Sequence, residues 1–300
     1  MFNGKALYNP QGRSGEYSQW AVNFYNGCTG GCEYCYNRRF PLLSAPKPRL
    51  KSVFKDEKDA FDTATKEILR NKADIIRDGG IFLSFVSDPC LPETIGLTMS
   101  VLAWAGLMQY SEAMAAESTD TRPIPVAILT KRADWVLDGT SPGGIRFSAF
   151  EELCAGAARN YAFGFTLTGH DDLEPGCSSN ADRLRAMKVL HDRGYRTWAS
   201  IEPVIDFRSS LEMIRACAPF CDHFKVGLRT DRKFECKTNE FVSFVNGIRE
   251  TVNRTGSTVY FKRSLRDLVG GGYIIGKNFV EEGFNMFGEN RPDYTKIFND

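Results

Sequence analysis

The sequence predicts an α/β protein built on a largely parallel sheet, and three observations carry that expectation. Runs of β-branched and aromatic residues alternate with helix-compatible stretches about six times along the chain. The 300 residues, 42% of them hydrophobic, suffice to bury one large α/β core or two smaller ones. A tight group of glycines and cysteines directly follows the first strand-like run, where parallel α/β folds gather their chemistry. Alternation of this kind implies parallel strands joined by right-handed helical crossovers, in an open doubly wound sheet or in a partial or full barrel.

The first expected strand is "AVNFY" (21–25), followed after the cysteine group by a helix over 56–78. Next come "GIFLSFVS" (80–87) with a helix over 94–116, and "PVAILT" (125–130) with helical stretches over 132–138 and 148–159. "YAFGFTLT" (161–168) precedes a helix over 180–193, "RTWASIEPV" (196–204) a helix over 209–218, and "DHFKVGL" (222–228) closes the series. Residues 231–300 form an extension closing the core, with a helix over 238–253, a strand "STVYFKRSL" (257–265) and a Gly-rich "GGGYIIG" (270–276). Residues 1–20 are an N-terminal segment, and 21–230 the core.

Composition narrows the function classes. No apolar run approaches the ~18 residues of a membrane span, and the N-terminus lacks the apolar region of a secretory signal, so no membrane partner is expected and the cytoplasm is the expected compartment. The formal net charge of +1 gives the chain no overall field toward nucleic acid or an anionic surface. One local exception stands out: residues 37–55 carry Arg38, Arg39, Lys47, Arg49, Lys51 and Lys55 with no acidic residue, interleaved with Phe40 and Phe54. Such a stripe either grips phosphates or is a solvated loop kept extended by Pro41, Pro46 and Pro48.

Nine dispersed cysteines in a reducing compartment do not read as a disulfide scaffold, so clustered thiols suggest metal. Cys28, Cys32 and Cys35 have the spacing C-x3-C-x2-C, with Gly27, Gly30 and Gly31 letting the backbone wrap closely. A structural zinc wants a fourth Cys or His, and His170, His191 and His223 all lie far downstream. Iron–sulfur clusters are also held by thiolates, usually four; three leave one iron open to another ligand.

This motif, with the aromatic Tyr34 just before its last cysteine and after strand one of a βα repeat, resembles the radical S-adenosylmethionine (SAM) superfamily. The stretch "YNPQGRSGEYSQWAVNFYNGCTGGCEYCYNRR" resembles more closely the opening of the spore photoproduct lyase-like, DNA repair photolyase-like group. "FVSDPCLPE", "LTKRADWVLD" and "LEPGCSSNADRLRAMKVLHDRGYRTWASIEPVI" are similar to that group's later segments, so the likeness spans roughly residues 8 to 228. The resemblance implies a partial (β/α)6 TIM-type barrel with a C-terminal α/β extension. It also implies a [4Fe-4S] cluster on Cys28, Cys32 and Cys35 whose open iron chelates S-adenosyl-L-methionine, and a reductant of flavodoxin or ferredoxin type. Reductive cleavage then gives a 5′-deoxyadenosyl radical that abstracts hydrogen from a substrate.

Carried over residue by residue, Tyr34 sits against the adenine, Lys131, Thr166 and Arg183 contact polar groups of SAM, and Ser87 and Asp88 meet its amino group. The residues support some of this independently. Lys131 ends the apolar strand "VAILT", where a cation faces the catalytic mouth and can hold a carboxylate, and Arg183 lies early in a helix. Glu202 ends strand five and either binds ribose hydroxyls or substrate, or pairs with a neighbouring cation. Spore photoproduct lyase carries a hydrogen-donating cysteine just before the Ser-Asp pair, where this chain has Phe85 and Val86. Cys90, just beyond the pair, becomes the candidate donor, and the lyase's own reaction does not follow.

A second C-x3-C, Cys217 and Cys221 with Cys236 further on, is expected to be core packing rather than an auxiliary cluster. A radical SAM enzyme acting on nucleic acid is the leading expectation, the same chemistry on a peptide or small molecule the alternative, and a non-enzymatic iron–sulfur protein the third class.

Overall fold

A computed structural model of the chain describes residues 1–41, 43–107, 122–137, 147–231, 233–268 and 276–288. Among these, ten strands alternate with nine α-helices. In chain order they are β1 (Leu7–Tyr8), β2 (Ala21–Val22), β3 (Tyr25–Asn26), β4 (Arg49–Leu50), α1 (Glu57–Arg70), α2 (Lys72–Arg77), β5 (Ile81–Leu83), α3 (Ile95–Leu107) and β6 (Val126–Thr130). Then follow α4 (Asp134–Leu137), α5 (Phe147–Cys154), β7 (Tyr161–Thr166), α6 (Asn180–Asp192), β8 (Arg196–Val204), α7 (Phe207–Cys217), β9 (His223–Leu228), α8 (Thr238–Thr255), β10 (Thr258–Phe261) and α9 (Arg263–Arg266).

Eight strands form one sheet in the order β1-β2-β5-β6-β7-β8-β9-β10, parallel throughout except for β1. The order does not close on itself, so the barrel is partial. The expected alternation is present, and the extension continues it: α8 buries Phe241, Phe244, Val245, Ile248 and Val252, stacks Phe244 on Phe207 of α7 at 4.6 Å, and returns the chain as β10 beside β9. Gly256 stops α8 in the left-handed region, at φ 81°, where a Cβ would be strained.

Several expected boundaries move, each for a local reason. The run 21–25 is divided because Asn23 takes over the ladder with its side chain, accepting from the Phe85 backbone N–H at 2.9 Å, so β3 peels away to pair with β4. The run 80–87 shortens to β5, its tail folded into a turn in which the Ser84 hydroxyl donates to the Ser87 carbonyl. The helix 56–78 breaks at Asn71, which caps back onto the Glu67 carbonyl. The strand 257–265 ends at Phe261 and turns into α9. The distal part of the helix expected over 94–116, and residues 270–275 of the Gly-rich run, lie outside the described residues.

Two apolar layers hold this arrangement. The larger lies between the sheet and its helices; the smaller lies on the inner face, where Ala21, Phe82, Ala127, Ala162 and Trp198 come from consecutive strands of the sheet. Gly164 admits the Trp198 indole, since a Cβ there would overlap it. Phe82 stacks on Phe85 at 4.3 Å, and with Tyr17 these rings floor the space above the strand ends. Burial of the Phe82 ring contributes about 1.5–3 kcal/mol.

Candidate active site

At the C-terminal ends of the parallel strands lies a cavity of about 490 Å³, within the range of small-molecule sites. The cysteine loop forms one wall. Its entry is tight: Gly27, at φ 86°, runs so close to the carbonyls of Ala45 and Lys47 that a side chain would collide with them, and the Cys28 N–H donates to Ala45 at 3.0 Å. Cys28, Cys32 and Cys35 all line the cavity.

The other walls come from strand ends. Asp88, after β5, spends both carboxylate oxygens on the framework, accepting from the Thr130 hydroxyl at 2.6 Å, the Cys90 N–H at 2.9 Å and the Lys131 N–H at 2.7 Å. It ties the ends of β5 and β6 together while itself lining the cavity. Ser87 beside it is different: its hydroxyl is buried, lines the cavity and has no hydrogen-bond partner. Asn37 matches it. Its amide N–H donates to the Val86 carbonyl at 2.7 Å, which leaves Asn37 Oδ1 buried and unsatisfied at the same wall. Two orphaned polar atoms on one cavity mark a place where a ligand completes the hydrogen bonding.

Lys131 directly follows β6, with its ammonium 5.5 Å from the centre of the Tyr34 ring. Burial opposes its charge, but Tyr34, Cys32 and Glu174 hold it well above the ordinary lysine range. Burial pushes the Tyr34 phenol well above its ordinary range. The Cys32 thiol is brought down to about 6, by its hydrogen bond with Cys177 first and by Lys131. Burial and Asp88 push Cys28 up. Thr166, ending β7, lines the cavity, and so does Glu202, which is paired with Lys262 at 2.7 Å and accepts from the Tyr17 hydroxyl. Glu202 thus has the neighbouring cation that one alternative expects and still lines the cavity, as the other requires.

Two sequence-derived candidates lie elsewhere. Arg183 is fully buried and absent from the cavity wall; it ion-pairs with buried Glu174 and donates to the Thr166 carbonyl at 2.6 Å. Glu174 also accepts from the Tyr34 hydroxyl. Arg183 therefore positions Tyr34 and Thr166 through buried partners, because its helix packs against β7 and turns the guanidinium inward. Cys90 is 0% exposed, packed in the larger apolar core and outside the cavity lining, so it does not face a substrate. Its thiol is pushed well up by burial.

Sequence reasoning missed Asn37 and Cys177. Cys177, in the loop after β7, lines the cavity with its sulfur 3.7 Å from that of Cys32. The only sequence signal was its place within a matched segment, "LEPGC".

The basic stripe is partly absorbed by the fold. Arg49 joins strand β4, Phe54 is buried, and Lys51 donates to the carbonyls of Lys5 and Asn23 at 2.5 and 3.3 Å. Arg39 and Phe40 reach the cavity rim, where Arg13 joins them from the N-terminal segment.

Among the described residues, no three His, Cys, Asp or Glu side chains are gathered closely enough to hold a single metal ion. The donor set is three thiols around one cavity with a fourth alongside, a complement that zinc and iron–sulfur clusters share; their not being gathered about one point is what suits the larger group, a cluster, better than a lone ion. No helix among these residues is long and apolar enough to cross a membrane.

No family model matches the chain. An uncharacterized protein of Methanocaldococcus jannaschii is 26% identical over 228 residues, spanning 73% of this chain and 74% of that one. Spore photoproduct lyase complexed with dinucleoside spore photoproduct aligns with a TM-score of 0.56 at 16% identity, over 85% of this chain and 80% of that one. A double mutant of the same lyase with bound AdoMet and the dinucleoside gives 0.55 at 16% identity, over 82% and 77%. This chain therefore has the fold of spore photoproduct lyase, the partial barrel of radical SAM proteins.

Proposed function

We propose that the chain is a radical SAM enzyme in which Cys28, Cys32 and Cys35 hold a [4Fe-4S] cluster and S-adenosylmethionine takes the adjoining part of the cavity. The observation that carries this is the opening of the three motif thiols and of two orphaned buried atoms, Ser87 Oγ and Asn37 Oδ1, onto one space at the strand ends. When bound, cluster and SAM together supply a 5′-deoxyadenosyl radical, the electron coming from a flavodoxin- or ferredoxin-type reductant.

The chain's own residues bind, orient and exclude water. The Ser87 hydroxyl donates or accepts, and Asn37 Oδ1 accepts, hydrogen bonds with the polar groups of SAM, and the Lys131 ammonium offsets its carboxylate. Tyr34 presents a ring fixed at its hydroxyl by Glu174, which Arg183 holds in turn. Phe85, Leu91 and Leu129 supply apolar wall that keeps solvent from a radical.

The substrate is read as nucleic acid, for repair or modification. Arg13 and Arg39 at the rim are placed to meet phosphates passing over the mouth, and the lyase of the same fold was solved with a dinucleoside. A peptide or small-molecule substrate is the second reading, favoured by the fact that Lys51 and Phe54 of the stripe are committed to the fold. The compartment is read as a reducing cytoplasm, on the dispersed placing of the cysteines along the sequence.

The test is anaerobic reconstitution with dithionite and SAM. Release of 5′-deoxyadenosine is expected, with deuterium passing into it from the true substrate; no turnover would sink the enzyme reading and leave an iron–sulfur protein. Filter binding at graded salt separates the substrates. A log–log slope near −0.7 to −0.9 per phosphate, reduced by about one to two in Arg13→Ala/Arg39→Ala, is expected for nucleic acid. No affinity at low salt gives the lead to the second reading.

A further inference from the structure

The loop after β7 is clamped onto the cysteine loop. The Gly176 N–H donates to the Gly30 carbonyl at 3.0 Å, the Glu33 N–H to the Leu173 carbonyl at 3.0 Å, and the Ser178 N–H to the Lys131 carbonyl at 3.0 Å. Gly176 is required there, since a Cβ would overlap the Thr29 carbonyl oxygen. The clamp delivers Cys177 to the motif: its sulfur lies 3.7 Å from Cys32 Sγ and 3.6 Å from the Gly30 carbonyl oxygen. A Cβ built on Gly30 would meet three sulfurs at once, Cys177 at 3.2 Å, Cys28 at 3.4 Å and Cys32 at 3.6 Å. A packing thiol sits among apolar side chains, as Cys90 and Cys217 do. Cys177 sits instead on the cavity wall, with sulfurs and a carbonyl for neighbours.

We propose that Cys177 is a fourth thiolate of the iron–sulfur site, ligating the iron that Cys28, Cys32 and Cys35 leave open while SAM is absent, and displaced when SAM binds. The inference rests on the cluster reading given above. It makes the resting site a four-thiolate one, the usual complement for a [4Fe-4S] cluster, and protects the open iron until the cosubstrate arrives. The exchange is a ligand substitution: the Cys177–iron bond breaks, bonds from the amino and carboxylate groups of SAM form, the proton that the SAM ammonium gives up is taken by the released Cys177 thiolate, and no electrons move.

The full-length chain, Cys177→Ala and Cys177→Ser are reconstituted anaerobically with iron and sulfide, then challenged with ferricyanide with and without SAM. Iron content and electron paramagnetic resonance are the readouts, and circular dichroism confirms folding. Without SAM, the parent chain is expected to keep its iron. Cys177→Ala should lose about one iron per chain and develop a three-iron signal, which SAM suppresses. Cys177→Ser, keeping an oxygen donor of similar size, should fall between. Equilibrium dialysis should show SAM binding Cys177→Ala about tenfold more tightly, because no thiolate has to leave. Equal iron retention and equal SAM affinity in the parent chain and Cys177→Ala would overturn the assignment of Cys177 alone. A parent chain that takes up no iron, indistinguishable from Cys32→Ala, would overturn the cluster reading and this inference with it.

Discussion

The chain contains the spacing C-x3-C twice, and the two copies have opposite fates. Cys28 and Cys32 follow β2 and β3 at the C-terminal ends of the strands and open onto the cavity. Cys217 and Cys221 lie between the end of α7 and the start of β9, at the N-terminal end, where both are 0% exposed. Their thiols are spent locally, Cys217 on the Ile214 carbonyl at 3.8 Å and Cys221 on the His223 carbonyl at 3.2 Å, and burial pushes Cys221 well above the usual thiol range. Spacing therefore makes a loop able to present two thiols to one side, but which end of the sheet it occupies decides whether anything is there to receive them. At the N-terminal end the helix packs over the strand and seals the space; at the C-terminal end the loops stand over an opening.

The comparison is broken most severely by substitution at the open end. Cys32→Ala is expected to lose iron, the visible absorbance at roughly 400 nm and SAM cleavage together; iron retained in full would refute the ligand assignment. Next in size is the support behind that end. Arg183→Met leaves Glu174 buried and uncompensated, and should lower stability in urea by about 3–5 kcal/mol. The double variant Arg183→Met/Glu174→Gln should recover part of the loss, and strict additivity would deny the coupling.

At the sealed end the effects are smaller. Cys217→Ala should cost about 1–2 kcal/mol through a small core void and leave iron content unchanged. Loss of about four irons per chain there would reveal a second cluster instead. A last effect, read against pH rather than by size, sharpens the contrast along β9 itself. Lys225 is buried between Tyr17 and Tyr260, with its ammonium donating to the Glu16 and Tyr17 carbonyls, and burial, with Lys262 beside it, brings it down to about 7 from 10.5. Between those values the unfolded chain binds the extra proton, so stability contributed by this group rises with pH from about 7 toward 10.5, and below 7 its penalty is complete. The melting-temperature difference between Lys225→Met and the parent chain should therefore favour the variant most near pH 6 and shrink toward pH 10. A difference independent of pH would show that Lys225 is not held in this way.

Much of the architecture was legible in the chain. The βα alternation is written in local composition, because each strand and helix must offer its own apolar face, and "VAILT" or "YAFGFT" declares itself without reference to anything distant. The three motif cysteines were legible for the same reason, being eight residues of one loop. Boundaries were less so: Asn23 ends the first strand only because Phe85 is there to donate to it.

The sequence by itself determined a parallel α/β core and a three-thiol loop at the end of its first strand, since both depend on residues close in the chain. Tertiary structure alone decided which polar groups are left for a ligand. Cys177 reaches Cys32 across 145 residues, Arg183 is turned inward by Glu174 and Thr166, and Cys90 is closed into the core while Ser87, three residues away, is left unsatisfied at the cavity. The physical reason is that a side chain's function depends on whether its hydrogen-bonding and charge requirements are met inside the protein. That depends on partners brought together from distant strands, which local pattern does not specify.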